Sequence, residues 1–347
     1  MKMNLECPVP QFDFDHINLG HGSGGILTHK LLKSGVFDVL KNPMLDQQHD
    51  GAILDLHGKL AISTDSYVVS PIFFPGGNIG DLAIHGTVND LAMCGASARY
   101  LTLSFILEEG LAIDEFKEVL MSIRRAADNC GIDIVTGDTK VVQKGKGDKI
   151  FINTTGVGVV HAHADIRHQR VGAGDVVILS GPIAAHGVAI MSLREGLEFE
   201  TSVKSDTCSL KNPVLAMLDF LGKDVHFLRD ATRGGLASVL NELSEITGLG
   251  IDIRQKDITI AEEVSGACEM LGLDPLYVAN EGVFVAVVKA ERADEALTIL
   301  RAHDVCGAAA IIGHTTSEHR GKVVMQSKIG GSRVVNFLQG EQLPRIC

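Results

Sequence analysis

Apolar residues recur along this chain in two rhythms. The clearest helical rhythm runs from Asp114 to Asn129. There Phe116, Val119, Leu120, Ile123, Ala126 and Ala127 share one face, Asp114 is placed to cap the start, and Gly131 follows as a C′ glycine. Similar patterns predict helices over 26–40, 79–94, 187–194, 209–222, from 236 to about 246, and over 291–302. Alternating or unbroken β-branched runs predict strands over 60–69, 100–106, 132–135, 151–160, 176–179, 227–229, 283–288 and 332–338. A polar, glycine-rich break at Val171-Gly172-Ala173-Gly174-Asp175 separates two mixed halves. The pattern predicts an α+β protein. Its expected parts are an N-terminal segment (1–49), a first domain (50–170), a second domain (171–331) and a C-terminal tail (332–347).

Composition narrows the class of partner. The chain has 347 residues, with 31 Lys+Arg against 43 Asp+Glu, no Trp and 5% aromatics. A net charge of −12 offers neither the cationic field nor the stacking platforms that nucleic acids need. The longest apolar run, Val283 to Val288, is far short of the roughly 20 residues of a membrane helix. No secretory leader is evident, and seven cysteines without a C-x-x-C fit a reducing cytoplasm better than a disulfide framework or zinc knuckle. The 38 glycines gather in clusters between apolar segments, as tight turns and close ligand approach require.

Four aspartates sit beside glycine or at element ends: Asp65, Asp90, Asp138 and Asp230. Oxygen donors of this kind suit Mg²⁺ bridging to phosphates, although each alone also suits a cap or turn. Asp65 falls inside a strand pattern, where Asp is disfavoured. Asp81 and Asp90 point to opposite faces of one helix, and Asp81, in the first turn, reads as structural. His21-Gly22-Ser23-Gly24-Gly25 opens a helical stretch and reads either as a flexible loop or as a phosphate cradle. It follows no clear strand, so the dinucleotide reading is weak, and no Walker A sequence is present. Lys140 beside Asp138 and Thr139, and Glu281 before a buried strand, are unremarkable without a reaction to serve. Cys347 is the last residue. Its own carboxylate disfavours the thiolate, but on an extended tether it has the form of a carrier arm.

These segments together resemble the HypE family of hydrogenase maturation proteins, in the aminoimidazole ribonucleotide synthetase and selenophosphate synthetase (PurM-like) superfamily. The match runs through HGSGG (21–25), STDSYVV (63–69), FFPGGNIG (73–80), GTVNDLA (86–92), GDTKVV (137–142), RDATRGG (229–235), ANEG (279–282) and the terminal PRIC (344–347). The first eighteen residues lie outside it. The resemblance implies an N-terminal α/β domain that dimerises into a β-barrel, a C-terminal α+β sandwich and a flexible tail. It implies that ATP and Mg²⁺ bind at His21–Gly25, Asp65, Asn89, Asp90, Gly137, Asp138, Thr139 and Arg233, with Asp65, Asp90, Asp138 and Asp230 as metal ligands. It further implies that the carbamoyltransferase HypF loads Cys347, that ATP-dependent dehydration gives an S-cyanide with Lys140 and Glu281 beside the carboxamide, and that cyanide passes to iron held by HypC and HypD. The alternatives are a superfamily phosphotransferase or synthetase acting on a free small molecule, which has no use for Cys347, and a non-catalytic scaffold.

Overall fold

The computed structural model describes residues 12–196, 203–338 and 345–347. The first half is built on four strands: β1 (Leu60–Tyr67), β4 (Ala96–Glu108), β5 (Asp133–Val142) and β6 (Ile150–Val160). The short strands β2 (Phe73–Phe74) and β3 (Gly77–Asn78) form a separate hairpin. The main sheet has the order β1-β6-β4-β5, so β1 and β5 are its two edges. One row of paired residues crosses it: Asp65, Thr154, Leu103, Gly137.

Helices α3 (Ile79–Met93) and α4 (Ile113–Cys130) bury one face of this sheet. Asn78 starts α3 with a capping box in which Asp81 accepts the Asn78 N–H, so Asp81 is structural. The expected cap at Asp114 is corrected. The helix starts a residue earlier, because the buried Ile113 donates its N–H to the Asp15 carbonyl, and Asp114 instead pairs with Lys117. The expected helix over 26–40 is interrupted. It consists of α1 (Ile26–Leu31), a π-helical turn (Leu32–Phe37) and α2 (Asp38–Leu40). Gly35 in that turn lies against the Phe12 ring, with no room for a side chain. The strand expected over 132–135 extends to Val142, since β5 pairs in parallel with β4 along its whole length.

The second half holds a seven-stranded sheet of order β13-β12-β9-β11-β7-β10-β8. Its strands are β7 (Val176–Leu179), β8 (Val225–Asp230), β9 (Gly250–Arg254), β10 (Phe284–Val288), β11 (Ala310–Thr316), β12 (Val323–Gln326) and β13 (Ser332–Val335). β13 pairs with β12, so residues 332–335 belong to this sheet and not to a free tail. Helices α5 (Ala185–Arg194), α7 (Gly235–Thr247) and α8 (Glu262–Leu271) cover one face; α6 (Lys211–Leu221) and α9 (Ala293–Arg301) cover the other. β10 is buried along its whole length because alternate residues enter the two cores: Val285 and Val287 one, Phe284, Ala286 and Val288 the other.

The halves meet where α6 packs on α3. Lys211, buried at that junction, donates to the carbonyls of Ala98 (3.0 Å) and Cys130 (2.8 Å). The four-stranded sheet is open at both edges, and among the described residues no barrel closes.

Candidate active site between the two halves

The mid-strand Asp65 is explained by where β1 leads. Its carboxylate accepts the Ser66 N–H (2.8 Å) and faces Arg233 of the second half at 3.6 Å. Asp90, near the end of α3, accepts from Ser63 of the same strand at 2.6 Å. From the second half, Asp230 ends β8 and Glu281 precedes β10. These four carboxyls, with Thr64, Gly86, Thr232, Arg233 and Cys347, line one cavity of about 160 Å³.

Crowding acid groups in a buried cleft raises their affinity for protons. Burial, and then the neighbouring Asp90 charge, push Asp230 up to about 7. Burial also raises Asp90, against the opposing Ser63 hydrogen bond. Glu281 is held well above the carboxylate range by burial and then by Asp206. Its Oε1 is buried without a hydrogen-bond partner. The cavity is thus short of positive charge and of donors, which a cation or a ligand N–H would supply.

Glu281 is fixed through its backbone. Asp206 accepts from the N–H groups of Glu281 (3.1 Å) and Gly282 (2.9 Å), and Gly282 is so close to the Asp206 carbonyl that a side chain would collide with it. Asn89 is buried and donates both amide hydrogens to protein carbonyls, those of Cys208 (2.9 Å) and Glu281 (3.2 Å), while accepting from Leu210 N–H (2.7 Å). Asn89 therefore braces Glu281. Neither Asp206 nor this bracing by Asn89 carries a pattern visible in sequence.

Cys347 is seated in the same cavity. Burial, and then Glu281, push its thiol up to about 12, so it is held as the neutral thiol. Val68 N–H donates to a Cys347 carboxyl oxygen (3.0 Å), and Ile346 is buried in the first-half core. Residues 339–344 of the expected tail lie outside the described residues. Of the other cysteines, Cys130, Cys268 and Cys306 are buried and Cys94 is exposed.

A second cavity, of about 210 Å³, opens at the far edge of the sheet. Its floor is apolar (Leu32, Val36, Leu103, Phe105, Ile134), and Gly22, Gly24 and the run Thr136–Lys140 form its polar rim. Gly22 packs so closely that a Cβ there would lie 2.6 Å from the Val141 nitrogen. His21 is buried, its Nδ1 accepts the Asn18 N–H at 2.9 Å, and its Nε2 has no partner. Lys140 donates to Asp138 at 2.8 Å, and this hydrogen bond is the leading reason the Asp138 carboxyl lies below the usual range.

The structure thus divides the expected site residues. Asp65, Asp90, Asp230, Arg233, Glu281 and Cys347 share one cavity; Gly22, Gly24, Gly137, Asp138, Thr139 and Lys140 line the other. Three strand spacings, about 14 Å, separate the edges. Asp138 is therefore not placed with the other three aspartates, nor Lys140 with Glu281, inside one chain. Among the described residues, no three His, Cys, Asp or Glu side chains are gathered to hold a metal by themselves.

Residues 48–160 match the N-terminal domain, and residues 172–326 the C-terminal domain, of the AIR synthase related proteins. The fold and the cleft between its halves define a member of that class. Within it, the chain is 48% identical over 332 residues to the carbamoyl dehydratase HypE of Azotobacter vinelandii, covering 95% of this chain and 97% of that one. It is similar to a crystal structure of hydrogenase maturation protein HypE in complex with ATP, at TM-score 0.92 and 46% identity over 95% of this chain and 99% of that one. It is also similar to a chain of a crystal structure of a HypE–HypF complex, at TM-score 0.79 and 41% identity over 90% of this chain and 100% of that one. The chain belongs to the HypE family, a family of hydrogenase maturation enzymes.

Proposed function

We propose that this protein dehydrates an S-carboxamide carried on Cys347 to an S-cyanide, using ATP, and so supplies cyanide ligands for the iron of [NiFe]-hydrogenase. The observation that carries the reading is the seating of the terminal thiol beside Glu281 in the acidic cleft. An enzyme acting on a free small molecule has no reason to place a thiol of its own there, and a scaffold has no reason to gather four carboxyls around it.

The chemistry fits the groups at hand. An amide oxygen is a poor leaving group; transfer of the γ-phosphoryl group of ATP to it makes a good one. Loss of phosphate, with two protons leaving nitrogen, then converts S–C(=O)–NH₂ to S–C≡N. The unpartnered Glu281 Oε1 supports assigning it to hold a nitrogen hydrogen and then accept it. Arg233, 74% exposed and facing Asp65, is available to meet phosphate. The apolar cavity suits an adenine base, with the His21–Gly25 loop at its rim. Mg²⁺ usually takes one or two protein carboxylates and fills its shell with phosphate and water. The dispersed oxygen donors fit that habit: one or two of Asp65, Asp90 and Asp230 would hold it, and when bound it would neutralise phosphate charge.

The two cavities are joined in this reading by a homodimer. The open sheet face carries Leu60, Ile62, Ile106, Phe151, Val157 and Val159, and Ile62 is 68% exposed. Burying that face against a second copy closes a barrel, with edge β1 beside the partner's β5. A nucleotide based at one subunit's β5 edge then points its phosphates at the other subunit's Asp65, and Lys140 approaches Glu281 across the interface. Loading by HypF and delivery to iron on HypC and HypD complete the cytoplasmic relay.

The test is intact mass after incubation with HypF, carbamoyl phosphate and ATP. A gain of about 43 Da falling to about 25 Da, mapped to Cys347 and absent in Cys347→Ala, is expected. An unchanged mass with active HypF refutes the reading.

A further inference from the structure

Resting on that reading, the seat of the tail raises a question the chemistry leaves open: what fixes the depth to which Cys347 enters the cleft? Cys347 is held by Val68 N–H on its own carboxyl (3.0 Å) and by the two residues before it. Ile346 supplies the apolar anchor. An anchor alone permits sliding and rotation, and a thiol bearing a planar carboxamide needs both suppressed.

The hydrogen bonds to the tail go mainly to main-chain carbonyls, and two of the donors lie on α5. His186, fully buried, places Nε2 2.8 Å from the Ile346 carbonyl. A carbonyl only accepts, so Nε2 carries the hydrogen. The Ser205 hydroxyl, 2.8 Å from Nδ1, then donates to it, and the tautomer is fixed. The Phe74 ring meets the imidazole edge-on at 5.6 Å. One end of α5 thus holds Ile346. At its other end Arg194 bonds the Arg345 carbonyl and, at 2.5 Å, the Ser70 carbonyl.

The opposite wall is the first half of the molecule. Ser70 N–H donates to the Arg345 carbonyl (3.4 Å) and Val68 N–H to Cys347 (3.0 Å). The Arg345 side chain returns a hydrogen bond to the Val68 carbonyl (3.0 Å) and pairs with Asp148 (2.6 Å). Arg345 itself has φ +51°, a left-handed conformation that a non-glycine residue keeps only under external constraint. The last three residues therefore lie between α5 of one half and the chain after β1 of the other.

We propose that His186 is the positioning residue that sets the register of the carrier tail, with Arg194 as its second support, by recognising the main-chain carbonyls of the two residues before the reacting thiol. The recognition reads backbone, so it acts alike on the free, carbamoylated and cyanated tail. It also makes the seat dependent on both halves of the molecule, because the carbonyls of Arg345 and Ile346 are bonded from α5 while Cys347 is bonded from the first half.

The test is the rate at which iodoacetamide alkylates Cys347 in the full-length protein, followed by peptide mapping, with the exposed Cys94 as internal reference. It needs neither ATP nor HypF, so it stands or falls separately from the proposed reaction. Burial predicts slow alkylation of wild-type Cys347. His186→Ala is expected to raise the Cys347 rate at least tenfold with Cys94 unchanged. His186→Gln, whose amide nitrogen can reach the same carbonyl, is expected to restore most of the protection. In the loaded protein, His186→Ala should leave carbamoylation by HypF intact while slowing dehydration. An unchanged Cys347 rate overturns the proposal. So does equal acceleration at Cys94 and Cys347, which marks His186 as a general support of the fold, and so does a failure of Gln to protect better than Ala.

Discussion

The two cavities at the edges of the first sheet are built from opposite materials. At the β5 edge the walls are aliphatic and aromatic, polar groups are confined to a rim, and the one acid, Asp138, is already paired with Lys140. At the β1 edge the walls are almost wholly polar, burial raises Asp90, Asp230 and Glu281, and among the described residues Arg233 is the single cationic side chain in the lining. The first cavity is complete as a receptacle for a flat apolar group. The second is incomplete electrostatically and is finished only by something it binds. A nucleotide has both characters in one molecule, which is why cavities so unlike can belong to one reaction.

The sharpest way to break this contrast is at Glu281. Glu281→Gln keeps shape and backbone bracing but removes the carboxylate proposed as the base. Dehydration of loaded Cys347 should fall by about 100-fold or more with loading by HypF retained. Single-turnover mass spectrometry checks it, and near-normal dehydration would remove Glu281 from the chemistry. A smaller effect is expected at the apolar cavity. Gly22→Ala forces the loop away from Val141, so ATP affinity measured by calorimetry should weaken about tenfold without slowing the saturated reaction by as much. Unaltered affinity would place the nucleotide elsewhere. The smallest effect belongs to the Arg345–Asp148 pair, which is 42% exposed on both sides. Exposed pairs contribute about 0.2–1 kcal/mol. Asp148→Asn should therefore change Cys347 alkylation by no more than about fivefold, and a larger change would make this pair, not α5, the main hold on the tail.

Much of this was legible in the sequence, for physical reasons that differ by residue. The face of α4 was visible because its apolar spacing must match one core. Asp65 stood out because a carboxylate inside a strand is costly without a partner, and the structure supplies Arg233. Other features had no local signature. α8 was missed because its pattern is short and mixed, and β9, β11 and β12 because each is a brief strand stabilised by neighbours distant in sequence. His186 and Asp206 act through backbone groups far along the chain, which no spacing reveals. The motifs also could not show that Asp138 and Lys140 lie across a sheet from Asp65 and Glu281. Strand order, not strand identity, decides that, and it is fixed by which edges pair.

In the proposed dimer the two cavities are halves of one site completed by a second subunit. Mixed dimers of Lys140→Ala and Glu281→Gln chains test it directly. If Lys140 serves the Glu281 of its partner, a mixed dimer carries one site with both residues intact, and equal random mixing should restore about a quarter of wild-type dehydration. If each chain uses its own Lys140 and Glu281, every site in the mixture lacks one of them, and activity will stay at the level of the separate variants.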